Sequence, residues 1–318
     1  MSTKKIFGAI FAFLWLTSKA GWGADVKDFQ ARTYTSPKKT IVYRLFIPKN
    51  YQPTQKYPLM LTLHGAGERG NDNTSQLFHD FNKMWADDSI QTKHPCFVLA
   101  PQCPLNNQWV DTDWGKGTYD MNSVPISDDL QAVVEILDSL GKEFSLDPDR
   151  IYVSGISMGG YGTWYMILKF PDRFAAAIPV CGAGDNKKAA SISKVPIWAF
   201  HAADDGTVPV AGSRDMVNAL KPVSSVVKYT EYPASMGIGH GSWVPAGKTP
   251  ELPSWLFNQA KVTVTSAPKS ETPISGSRIE NSQLGSARVD ALGRVPKPGE
   301  THLPGDLYFG RDQRGQDR

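Results

Sequence analysis

Ser157 sits in the pentapeptide Gly155-Ile156-Ser157-Met158-Gly159, directly after an apolar run at 151–154 and directly before a helix-compatible stretch at 158–170. Glycines on both sides of a serine, between a strand and a helix, permit a turn too tight for side chains and leave the hydroxyl exposed at the sheet edge. Ordinary strand-to-helix turns also carry this pattern, so the rest of the chain must supply the chemistry. A serine nucleophile needs a base to take its proton and a carboxylate to hold that base in the right tautomer. In elbow-type enzymes the order along the chain is serine, acid, histidine. Of the six histidines, only His240 and His302 lie downstream of a suitable acid, and His302 falls in a polar tail. His240 stands in Gly237-Ile238-Gly239-His240-Gly241-Ser242-Trp243, a glycine-flanked loop able to carry an imidazole over the sheet edge. The acid is expected in the loop after the run 196–201, where Asp204 and Asp205 stand side by side.

Such residues need a sheet to hold them. Short β-branched and aromatic runs at 41–46, 59–63, 97–100, 151–153, 175–180, 197–200 and 226–229 alternate with helical patterns. That alternation predicts an α/β fold, a mainly parallel sheet covered on both faces. Between the third and fourth runs Ser127 can N-cap a helix that Asp128 and Asp129 favour through its dipole, with Leu130, Val133, Val134, Leu137 and Leu140 as its apolar stripe. This helix reads as core. An oxyanion hole uses backbone N–H groups, one from the residue after the nucleophile, Met158, and one from the loop after the third strand of the fold, which here begins His64-Gly65-Ala66-Gly67.

Taken together, Leu61-Thr62-Leu63-His64-Gly65-Ala66-Gly67-Glu68-Arg69-Gly70, Ala100-Pro101-Gln102-Cys103-Pro104, the serine pentapeptide, the run from His201 to Pro209 and Gly239-His240-Gly241-Ser242-Trp243 resemble one family. It is the serine carboxylesterases of the α/β-hydrolase fold, in the secreted feruloyl-esterase-like or "predicted peptidase" branch, and the likeness covers about residues 30 to 260. No large lid domain and no cofactor are expected. The resemblance places the catalytic acid on Asp205, with Asp204 an exposed neighbour, and the second oxyanion donor on Ala66. Ala202 stands where the family has a glycine after the histidine.

Domain limits follow from composition. Lys4-Lys5 and the 11 apolar residues 6–16 read as a signal peptide over 1–23, with cleavage after Ala20 or Gly23. The catalytic domain is placed at 30–261, and from 265 to 318 the apolar residues lose their period, predicting a disordered tail. The mature chain is therefore expected in the periplasm or outside the cell, without stable membrane insertion. A net charge of +3 with interspersed signs gives no reason to expect a nucleic-acid partner. Cys96 and Cys103 flank an extended run that holds them too far apart for a bridge, Cys181 reads as a buried thiol, and no zinc spacing is present.

Substrate choice depends on loops. Only about 15 residues, 181–195, separate the strand after the nucleophile helix from the strand carrying the acid, which leaves no room for a lid there. An open cleft suits esters on a bulky or polymeric partner, carbohydrate-linked or aromatic, and aromatic polyesters belong to the same reading. Trp109, Trp114, Tyr119 and Trp243 are the candidate aromatic walls, with packing against the protein body as the alternative for each. Two rival functions stand beside the esterase. One is a prolyl-oligopeptidase-like serine peptidase, opposed by the roughly 30 residues before the first strand, too few for a propeller. The other is a non-catalytic binding protein on the same scaffold, opposed by the presence of all three polar residues.

Overall fold

The apolar runs become one mixed sheet in the computed structural model, which describes residues 24–261. The eight strands are β1 Gln30–Thr35, β2 Thr40–Phe46, β3 Tyr57–Leu63, β4 Phe97–Pro101, β5 Leu146–Ile156, β6 Ala176–Val180, β7 Ile197–Ala202 and β8 Val227–Tyr232. Their spatial order is β1-β2-β4-β3-β5-β6-β7-β8. The β1–β2 and β2–β4 pairs are antiparallel, and every pair from β4–β3 to β7–β8 is parallel. This is the α/β-hydrolase architecture expected from the sequence. The signal-peptide and tail expectations lie outside the described residues.

A parallel strand covered on both faces has no polar side, and all seven residues of β3 are buried. Successive side chains point to opposite faces. Leu59, Leu61 and Leu63 join one apolar cluster with Phe97 and Leu99, while Met60 joins the other with Val98 and Ala100. The helices are α1 Asp80–Lys83, α2 Asp88–Gln91, α3 Asp128–Glu143, α4 Met158–Lys169, α5 Ala211–Leu220, α6 Trp243–Gly247 and α7 Leu252–Phe257. Helices α3, α4 and α5 bury their apolar residues in the first cluster. Residues of α1, α2, α6 and α7 enter the second.

The start of α3 follows the sequence closely. Ser127 Oγ accepts the Leu130 N–H at 3.1 Å, and Leu130, Val133, Val134, Leu137 and Leu140 are all buried. Asp129 does more than complement the helix dipole, because it is buried, lies 2.7 Å from Lys39 Nζ and accepts from Asn107 at 2.6 Å. Between β6 and β7 the chain makes only the 3-10 segment Asn186–Ile192. The three cysteines are free, buried thiols.

Two differences from the sequence reading have clear causes. Strand β1 was not expected, since it is an edge strand whose side chains are mostly solvated and carry no apolar alternation. Strand β5 starts at Leu146, ahead of the expected run at 151–153, and the polar segment Asp147, Pro148, Asp149 and Arg150, across a register shift against β3, hides its first half from the sequence pattern. Leu137 carries the α3 stripe onto the sheet, so Leu137→Ala should lower stability by about 2–5 kcal/mol. Urea denaturation followed by circular dichroism measures it, and a loss below about 1 kcal/mol would contradict the packing described for α3.

Candidate active site

The turn between β5 and α4 is built by close approach. A Cβ on Gly155 would lie 2.2 Å from the Gly159 carbonyl oxygen, and one on Gly159 would lie 2.0 Å from that of Leu63, so helix and strands can meet here only if both residues are glycine. Between them Ser157 adopts φ 53°, ψ −118°, a region that costs a non-glycine residue of order 1–3 kcal/mol. The strain is held by the surrounding structure, including a 3.0 Å bond from the Ser157 N–H to the Val180 carbonyl. The result is a hydroxyl raised at the N-terminus of a 12-residue helix, where partial positive charge collects.

His240 and Asp205 arrive from the ends of β8 and β7. His240 Nε2 lies 2.8 Å from Ser157 Oγ, and Nδ1 lies 2.8 Å from Asp205 Oδ2, geometry that fits an Nδ1–H donor and an Nε2 acceptor. Asp205 Oδ1 accepts the N–H groups of Thr207 and Val208, each at 2.9 Å, and His201 Nε2 lies 3.3 Å from Oδ2. Burial opposes the charge, but the bonds from His201, His240, Val208 and Thr207 outweigh it and hold this carboxyl well below the usual carboxylate range. Asp204 is not the exposed neighbour expected: it is half-buried and accepts the Gly239 N–H at 3.0 Å, tying the acid loop to the histidine loop.

The loop after β3 presses against Ser157, since a Cβ on Gly65 would reach within 3.6 Å of Ser157 Cβ. Ala66 begins a 3-10 turn and Met158 begins α4, and the N–H groups at the start of a helix have no acceptor within it. The loop is fastened from several sides. Arg69 Nε donates to the Ala66 carbonyl at 2.8 Å, His64 Nε2 accepts the Cys103 N–H at 2.9 Å, and Trp109 Nε1 donates to the His64 carbonyl at 3.0 Å. Burial pushes the His64 imidazole down to about 4, so it is neutral at ordinary pH and brings no charge into the loop.

The aromatic candidates divide. Trp114 and Trp243 line a cavity of about 190 Å³ beside Ser157 and His240. Trp109 and Tyr119 do not. Trp109 is fully buried because its indole N–H is spent under the His64 loop, and Tyr119 is buried against Tyr161 and Tyr165 with ring centroids 6.3 and 5.9 Å apart. Both expected substrate contacts are therefore corrected to packing residues. Two groups that the sequence reading passed over border the same cavity: Glu68 and His79, with Oε1 and Nε2 3.2 Å apart. Burial would raise the Glu68 carboxyl, yet the His79 contact and the Gly65 N–H leave it below its ordinary range. The available signal was Glu68 itself, a carboxylate directly after the small residues Gly65-Ala66-Gly67.

Among the described residues, Cys181, Asp205 and His240 offer ligand atoms within 4.8 Å of one another. Asp205 and His240 are already bonded to each other, and burial, with the Asp205 charge, pushes the Cys181 thiol far up, so this donor set suits proton handling better than a cation.

Because the folded-state pKa of Asp205 is depressed, its stabilisation is fully present above the unfolded carboxylate value of about 3.9 and is lost as pH falls toward the folded value. Asp205→Asn removes that contribution. The stability gap between the two proteins, measured by urea denaturation, should be larger at pH 5 than at pH 3, and a gap independent of pH would contradict this charge assignment.

Residues 108–241 match the prolyl oligopeptidase family. A bifunctional acetylxylan esterase/xylanase of Neocallimastix patriciarum is 27% identical over 184 residues, 58% of this chain and 23% of that protein. The crystal structure of a thermostable esterase superposes with a TM-score of 0.69 at 45% identity, covering 74% of this chain and 64% of that one. A feruloyl esterase module from Clostridium thermocellum, at 17% identity and TM-score 0.53 over 72% of this chain and 87% of the module, shares the fold. The chain thus spans about a quarter of the acetylxylan esterase/xylanase and just under two thirds of the thermostable esterase. The sheet order, the strained serine turn and these similarities together show the α/β-hydrolase fold, which the chain shares with these esterases.

Proposed function

We propose that the protein is a serine carboxylic-ester hydrolase working through an acyl-enzyme. The observation that carries this reading is the continuous line Ser157 Oγ, His240 Nε2 and Nδ1, Asp205 Oδ2, with both contacts at 2.8 Å. His240 takes the proton as Ser157 Oγ attacks the ester carbonyl carbon, and Asp205 holds the ring and steadies the imidazolium that forms. The carbonyl oxygen, now negative, is received by the N–H groups of Ala66 and Met158, where each such donor contributes about 2.7–4 kcal/mol to the transition state. His240 then gives its proton to the leaving alkoxide, the alcohol departs, and a water deprotonated by His240 releases the acid and restores Ser157.

Similarity to esterases supports an ester over an amide as the scissile bond, and Trp114 and Trp243 beside Ser157 support a carbohydrate-linked or aromatic ester. The match of 108–241 to the prolyl oligopeptidase family favours a second reading, peptide hydrolysis by the same residues. Lys4-Lys5 and the apolar run 6–16 support export, placing the substrate outside the cytoplasm. Among the described residues no helix is long and apolar enough to cross a membrane.

The test is turnover of methyl ferulate, a short-chain aryl acetate and a peptide anilide by the protein and by Ser157→Ala. Hydrolysis of an ester but not the anilide is expected, with kcat falling on the order of 10⁴-fold or more in the variant. Cleavage of the anilide alone would favour the peptidase, and near-full activity in Ser157→Ala would remove Ser157 as nucleophile.

A further inference from the structure

The cavity at Ser157, about 190 Å³, is smaller than the roughly 300–1,000 Å³ that usually encloses a small organic ligand. It has a neighbour. His79 and Trp243, ring centroids 5.0 Å apart, line both this cavity and a second one of about 390 Å³. The second cavity lies where the Phe78–Met84 segment meets α6, and its walls are mostly carbon: Phe78, Phe81, Met84, Val244 and Trp243. Asp80 and Lys248 also line it and supply the polar part of its margin.

Three observations point to a substrate compartment. Phe78 is 73% exposed and Val244 54% exposed, and both line this one concavity. Exposed apolar side chains gathered around one concavity are a mark of ligand-binding grooves. Second, the floor is kept open by a missing side chain: a Cβ on Gly247 would already touch Met84 Sδ and Phe81 Cδ2 at 3.5 Å, so any larger residue there would intrude on the space. Third, the wall shared with the reacting centre is held by contacts on that side. Trp243 lies edge-on to His240 with centroids 5.4 Å apart, and His79 is held by Glu68, so a group lodged beyond them is positioned against the scissile bond.

We propose that this second cavity receives the bulky apolar group, aromatic or branched, of the substrate ester, so that the protein selects such esters over simple acetates of small alcohols. The proposal rests on the serine-esterase reading and adds its specificity determinants, Phe78 and Val244. An acetyl or ethyl group is satisfied by the space at Ser157 alone and gains nothing from the second cavity, whereas a ring on either side of the ester exchanges water for the carbon walls.

The experiment measures kcat/KM of wild type, Val244→Trp and Phe78→Ala on ethyl acetate, methyl ferulate and 2-naphthyl acetate. Val244→Trp fills the cavity from an exposed position and Phe78→Ala removes a wall, and thermal unfolding of both variants verifies that the fold is kept. The expected result is a loss of about tenfold or more for at least one bulky ester in Val244→Trp, a smaller loss on the same ester in Phe78→Ala, and ethyl acetate changed by less than about twofold. Unchanged bulky-to-small ratios in both folded variants would overturn the compartment while leaving the esterase intact. Failure of the wild type to hydrolyse any of the three would instead overturn the esterase reading, and the compartment with it.

Discussion

The close approach of α4 to the strands on which it sits governs the rest of the molecule. Backbone touches backbone at Gly155 and Gly159, with no room for a single methyl group, and the chain must turn at Ser157 through a conformation that serine does not favour. The same contact sets the place of the loop proposed to supply an oxyanion donor, because Gly159 meets the carbonyls of Leu63 and His64, the last residues before the Gly65–Glu68 loop. A displacement of the helix would therefore move the hydroxyl and the loop together. Strain of this kind persists only where the surroundings over-determine it. Here they do, through the parallel register of β3, β5 and β6 and the bond from the Ser157 N–H to Val180.

Around that turn the polar groups gather on one carboxylate and one imidazole. Asp205 is a buried anion with donors on both oxygens. His64 is kept neutral by burial, and Cys181, although within 4.8 Å of Asp205 and His240, keeps its proton. His201 sits on the far side of Asp205, its other nitrogen 2.8 Å from Ser213 Oγ, and braces the carboxylate rather than competing for Ser157. Among the described residues His240 is the imidazole bonded to Ser157 Oγ.

Legibility in the sequence followed the range of the interaction. Ser157 and His240 each stand in a glycine-flanked run, so local pattern pointed to them before any contact was visible, whereas it left Asp204 and Asp205 side by side and only the family resemblance chose Asp205. The buried strands and the α3 stripe were legible for a similar reason, since burial on one or both faces writes a period into the chain. Strand β1 left no such trace because its faces are mostly in water. Trp109 and Tyr119 could not be separated from Trp114 and Trp243 by residue type: an indole or phenol can face a cleft or carry one buried hydrogen bond, and the Trp109 partner is a carbonyl 45 positions away. Glu68 with His79, and Asp204 with Gly239, are likewise pairs between segments that only the folded sheet brings together.

The central claim is that the turn, His240 and Asp205 make Ser157 an activated nucleophile. Covalent capture tests it most directly: incubation with an alkyl fluorophosphonate, followed by peptide mass spectrometry, in the wild type and in His240→Ala. The account predicts one phosphonyl adduct, on Ser157, formed far more slowly when the imidazole is removed. Modification of another residue, or labelling of Ser157 at the same rate in both proteins, would contradict it.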